Sequence, residues 1–135
     1  MTGNEPDELM AAAVAVSRNA RSPYSLIQVG AALRAADGTI VCGANVESAS
    51  YGLTCCAERV ALFSALSQGC SNFTELALVS SVSPQLSPCG ACRQLLAEYA
   101  PGLTIRSANR DRPEAADSFV IEELLPNALT RLPAD

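Results

Sequence analysis

Apolar and polar positions along this chain alternate between a helical period and a strand period. Residues 5 to 20, "EPDELMAAAVAVSRNA", place acids ahead of an Ala-rich stretch. That order predicts a helix whose first turn complements the helix dipole. "RSPYS" breaks it. "IQVGAALRAADGTIVCGANVE" then reads as two short strands joined at Asp37-Gly38, a hairpin signal. "SASYGLT" is a loop. Residues 55 to 68 predict a second helix with Val60, Leu62, Phe63 and Leu66 turned inward, and Gly69 marks its stop. "TELALVSSV" reads as a buried strand and "SPQLSP" as a loop of breakers. Residues 89 to 99, "CGACRQLLAEY", predict a third helix ended by "APG". "GLTIRSA" is a fourth strand, "NRDRPEAAD" a turn region, and "SFVIEELLPNAL" a last short strand with a helical turn.

Strands alternating with helices imply parallel pairing with helices on both faces, and the hairpin adds an antiparallel edge. The expected fold is therefore α/β: a three-layer α/β/α sandwich around a mixed sheet of about five strands. With 135 residues, a single domain over 1–135 is expected, with residues 1–6 a disordered tail.

Composition narrows the function. Hydrophobic residues make up 49% of the chain, enough for a core without disulfide staples. Aromatics are few and Trp is absent, so that core must be built from Ala, Val, Leu and Ile. A net charge of −5 argues against a basic nucleic-acid surface. No apolar run approaches a membrane span, and no basic leader precedes an apolar block. The expectation is a soluble cytoplasmic protein that engages neither nucleic acid nor membrane.

Six cysteines without a secretion signal argue against a disulfide framework. Histidine, the usual general base and commonest metal ligand, is absent. A transition-metal site here must rest mainly on thiolates, and proton transfer must fall chiefly to carboxylates.

"SPCGACRQ" puts Cys89 and Cys92 three apart at a predicted helix start. Both thiols then lie on one helical face, where the dipole favours thiolate. The spacing suits a zinc ligand pair; its rival is a redox pair of the thioredoxin type, which usually follows the first strand of its βαβ unit and needs no third thiol. A second predicted helix also begins with thiols, Cys55 and Cys56. One of them joining Cys89 and Cys92 would give three thiolates and an open fourth position, the mark of a catalytic zinc site. Such a position holds water and lowers its pKa. Glu58 is the candidate base beside it. Arg59 is either a donor to the ligand sulfurs or a solvated charge on the helix face.

"VGAAL", "DGTIVCGANVESASYGLTCCAER", "SPCGACRQLLAEYAP" and "EELLP" resemble the small homotetrameric zinc-dependent cytidine deaminases over roughly residues 9 to 129. The resemblance implies hydrolysis of the amino group of a cytosine-type nucleoside, one Zn2+ per subunit, and active sites near subunit interfaces. It implies Cys56, Cys89 and Cys92 as zinc ligands and Glu58 as the proton shuttle to ring N3 and to the departing ammonia. Asn45 and Glu47 would hold the ribose 3′-hydroxyl, and the Ala57 N–H would meet the base carbonyl. Tyr51 would reach into a neighbour's pocket. Cys42, Cys55 and Cys70 are left as small buried hydrophobes.

The chain departs from the family pattern at its pocket walls. "PYSLIQVGAAL" stands where the family reads "PYSNFPVGAAL" or close to it. Ile27 therefore takes the place of the Phe that packs on the pyrimidine, and Gln28 that of the following Pro. Leu129 matches a Phe after "LLP" that closes a neighbour's pocket, and Ser48 matches an Asn. Aliphatic walls keep apolar contact and lose the flat stacking face, worth about 1–3 kcal/mol per base. Gln28 adds an amide that can donate or accept. An alternative substrate follows from these changes: an N4-modified cytidine, a blasticidin-like nucleoside or another aminated heterocycle. A non-enzymatic zinc or thiol domain is the third reading.

Overall fold

The structure, a computed structural model, describes residues 7–133. The tail expected over residues 1–6 lies outside them. The element order is α1 (Glu8–Ser17), β1 (Val29–Ala35), β2 (Ile40–Ala44), a 3-10 turn (Tyr51–Leu53), α2 (Ala57–Ser67), β3 (Phe73–Ser80), α3 (Gly90–Tyr99), β4 (Thr104–Asn109), β5 (Asp117–Val120) and α4 (Ile121–Leu124). The five strands form one sheet in the order β2-β1-β3-β4-β5. Asp37-Gly38 does turn the β1–β2 hairpin, with Gly38 at φ 93°.

Pairing differs from the expectation in one respect. Only β3 and β4 pair in parallel, while β1–β2, β1–β3 and β4–β5 are antiparallel. The reason lies in where β1 sits. Strands β2 and β3 run in the same direction, as a β-α-β crossover through α2 requires, but β1 lies between them and opposes both. Alternation along the chain gave the strand directions correctly; it carried no information about which strands are neighbours.

Strand side chains alternate between two apolar layers. Ala31, Leu33, Leu76, Leu78 and Ile105 face α2 and α3 through Ala57, Ala61, Leu62, Ala65 and Leu96. Ala32, Ala77, Val79 and Ala108 face α1 through Leu9, Met10 and Ala13. Three layers result. Each fully buried Leu stabilises the fold by roughly 1.5–3 kcal/mol. Phe63 departs from the expectation. It is 43% exposed, because α2 turns its small-residue stripe Ala57, Ala61 and Ala65 to the sheet and Phe63 lies off that stripe.

The alanine stripe serves the site. A Cβ at Gly43 would lie 2.4 Å from the Ala61 nitrogen and 2.8 Å from the Ala57 carbonyl oxygen. Glycine on β2 thus lets the first turn of α2 rest directly on the sheet. That turn carries Glu58 and follows Cys56.

Candidate active site

Two helices begin at cysteines. Cys56 is the N-cap of α2 and Cys89 the N-cap of α3. Their unpaired N–H groups and dipoles favour negative charge at both sulfurs. Cys92, on the first turn of α3, is fully buried. The three Sγ atoms lie within 4.8 Å of one another, with Cys56–Cys89 at 3.7 Å and Cys89–Cys92 at 3.5 Å. A tetrahedral ion with Zn–S bonds of about 2.3 Å spaces its sulfurs about 3.8 Å apart. The thiols are therefore already set as three corners of a zinc site.

Charge around the trio is graded. The Arg59 guanidinium donates to Cys56 Sγ at 3.5 Å, so it is not a solvated charge. A hydrogen bond from Cys92, with Arg59 in support, brings Cys56 down to about 5. The same Cys56 hydrogen bond and burial push Cys92 up. Glu58 is only 5% exposed, and burial pushes its carboxyl up to about 7. A carboxyl held there can both take and release a proton near neutral pH.

A cavity of about 240 Å³ opens onto these groups. Cys56, Cys89, Glu58, Ala57, Ile27, Asn45 and Glu47 all line it. Asn45 and Glu47 are placed by backbone pairing. Val46 exchanges two hydrogen bonds with Cys55, at 3.0 and 2.8 Å, which brings the end of β2 beside the start of α2. The Glu47 carboxylate accepts the N–H groups of Tyr24 and Ser25 at 3.0 and 3.1 Å and the Ser25 hydroxyl. Those bonds hold it below the usual carboxylate range.

Three residues singled out in the sequence lie elsewhere. Gln28 does not line the cavity: in the segment just ahead of β1, its side chain points away from the cavity and accepts from Arg110. Tyr51 is 76% exposed and borders an adjoining hollow with Tyr24 and Thr54. Leu129 is 63% exposed, and its carbonyl accepts from Gln94. Cys42 and Cys70 are partly buried against the two apolar layers, whereas Cys55 lines the cavity. Sequence reasoning missed Ser25, Val29, Thr54, Leu78, Leu86 and Ser87 as lining residues. Ser87 stands two positions before Cys89, a signal that could have found it. Leu78 reads as ordinary strand core.

The family model for the cytidine and deoxycytidylate deaminase zinc-binding region matches residues 4–106. The chain belongs to that family. The family binds zinc, and the Cys56, Cys89 and Cys92 cluster is consistent with one ion per chain. Among the deaminase's relatives, the cytidine deaminase of Halalkalibacterium halodurans is 43% identical over 122 residues, which cover 90% of this chain and 92% of the relative. That of Sporosarcina psychrophila is 42% identical over 125 residues, covering 87% and 89%. The crystal structure of cytidine deaminase from Burkholderia pseudomallei aligns with TM-score 0.85 and 42% identity over 96% of this deaminase and all of that chain. No helix among the described residues is long and apolar enough to cross a membrane.

Proposed function

We propose that this deaminase hydrolyses the amino group of a cytosine-type nucleoside, releasing ammonia and leaving the uracil nucleoside. The observation that carries the reading is the meeting of three thiols, a buried carboxyl and the Asn45–Glu47 pair around one cavity. When bound by three thiolates, zinc supplies a Lewis acid with an open position where water becomes nucleophilic near neutral pH.

The chain's own residues do the rest. Glu58 takes the proton lost by the attacking water and delivers it to ring N3. It then carries a second proton to the amino group, which leaves as ammonia while water oxygen stays on C4. Protons balance: one water is consumed for each ammonia released. The Ala57 N–H, at the first turn of α2 and lining the cavity, suits donation to the base carbonyl. Asn45 and the free lone pairs of Glu47 suit a ribose hydroxyl. Ile27, Val29, Leu78 and Leu86 give the ring an aliphatic seat. Arg59 offsets the negative charge of three thiolates.

Tyr24, Leu26, Val46, Tyr51 and Leu53 are exposed large hydrophobic side chains, and Tyr24 and Tyr51 border a hollow that shares Ser25, Glu47 and Thr54 with the cavity. With Leu129 they support a homotetramer whose subunits cover one another's sites, to be checked by light scattering on the purified chain. One sheet carries both apolar layers, which supports a single domain over 1–135. Thiols kept as metal ligands support a cytoplasmic enzyme.

Glu58→Gln is the direct test. Zinc stays bound, and ammonia release from cytidine falls by at least the 10²–10⁴-fold typical of a lost proton carrier. Full activity in that variant would sink the assignment. An ammonia-release screen over cytidine, deoxycytidine, N4-substituted cytidines, blasticidin-type nucleosides and aminated purines fixes the substrate. Cytidine and deoxycytidine are expected to lead it.

A further inference from the structure

We infer that Arg110 and Gln28 form a positioning pair that sets the Ile27 wall of the cavity from outside it. The inference rests on the cavity being the nucleoside site. Ile27 precedes β1 and has no place in the sheet ladder. It follows Leu26, a non-glycine residue in the left-handed region at φ 64°. A segment leaving such a turn needs tethers to hold a fixed wall.

The tethers come from two sides. Inside the cavity, the Asn45 side chain donates to the Ile27 carbonyl at 2.9 Å and accepts the Val29 N–H at 2.8 Å. Outside it, Gln28 exchanges hydrogen bonds with Ser81: its N–H donates to Ser81 Oγ at 2.9 Å, and its carbonyl accepts the Ser81 N–H at 2.9 Å. Gln28 Oε1 accepts from Arg110 Nη1 at 2.7 Å, and the same nitrogen lies 3.4 Å from Ser17 Oγ at the end of α1. Arg110 is itself fixed by its N–H, which donates to the Ser80 carbonyl at 2.8 Å.

Arg110 makes no ion pair among the described residues. Its charge goes to a neutral amide oxygen, a stronger bond than a neutral pair makes. A proline at position 28, as the family pattern has it, would present no amide to Arg110. This chain therefore replaces a rigid ring with a side-chain brace at the residue between two pocket walls. Neither partner touches the thiols or Glu58, so the brace acts on how the base is seated and leaves the metal site alone.

Gln28→Ala, Arg110→Met and the double variant test this, with cytidine kinetics, zinc content and thermal midpoint measured on each. Each single variant is expected to raise KM about tenfold with kcat within about twofold and zinc content unchanged. The double variant should match the worse single, since contacting residues are not additive. Gln28→Glu keeps an acceptor for Arg110 and should restore KM to near the parent value. A lower thermal midpoint with unchanged KM overturns the role. So does a double variant whose KM is the product of the two singles. A parent inert toward every nucleoside would instead overturn the reading of the site, and this role with it.

Discussion

Asn45 bridges Ile27 and Val29: its amide nitrogen donates to the Ile27 carbonyl at 2.9 Å, and its oxygen accepts the Val29 N–H at 2.8 Å. The same side chain lines the cavity and shapes its apolar wall. Asn45→Ala leaves the buried Val29 N–H without an acceptor, at a cost of about 1–3 kcal/mol. Asn45→Asp keeps that acceptor and loses only the donation to Ile27. Thermal melts should therefore rank parent above Asp above Ala, with KM for cytidine rising in both variants. An Ala variant as stable as the parent would contradict the bridge.

Gly43 is the second fixed point. An added Cβ at 2.4 Å from the Ala61 nitrogen has no flexible neighbour to displace, so α2 must lift from β2. Gly43→Ala is expected to lose about 1–3 kcal/mol, as over-packed sites do. It should also weaken zinc binding, because Cys56 and Glu58 move with the helix. Gly52→Ala, with nothing within 4 Å of its Cβ, is the matched control and should stay within about 0.5 kcal/mol of the parent.

Arg59 reaches the Cys56 sulfur at 3.5 Å. Arg59→Met keeps most of the stem and removes the charge that offsets the thiolates. Partners of metal ligands are worth about 10–100-fold in metal affinity. Competition against a chelator should show a loss of that size. Unchanged zinc affinity would mean the guanidinium only packs.

Asp7 gives a pH prediction. Its carboxylate accepts from the Arg106 guanidinium, which holds it below its ordinary 3.8, and it also caps α1 by accepting the Met10 N–H at 3.1 Å. A folded value below the unfolded one stabilises the ionised form. The contribution is complete above the unfolded pKa near 4 and is lost as pH falls through the folded value. Asp7→Asn keeps the cap and removes the charge. Between pH 6 and pH 3, the parent's denaturation midpoint should fall more than the variant's. Parallel curves would exclude the pair as an acid-sensitive contact.

Much of the site was legible in the sequence because its chemistry is local. Cys89-x-x-Cys92 places two sulfurs on one helical face by helical geometry alone, and Glu58 follows Cys56 by two positions at the start of another helix. The absence of histidine pointed mainly to thiolate ligands and left Glu58 as the candidate proton carrier. Five strands, three main helices and the Asp37-Gly38 turn followed from period and breakers.

Tertiary structure decided what depends on neighbours far apart in the chain. Strand order is one case: β1 sits between β2 and β3, so alternation along the chain gave directions but not partners. Phe63 is another, left outside because alanines and Gly43 set how α2 lies on the sheet. Gln28 is the third. Sequence placed it in the pocket, but the segment ahead of β1 turns its amide to Arg110, 82 positions away. Local rules specify residue types and periods, while register and packing choose which face each side chain meets.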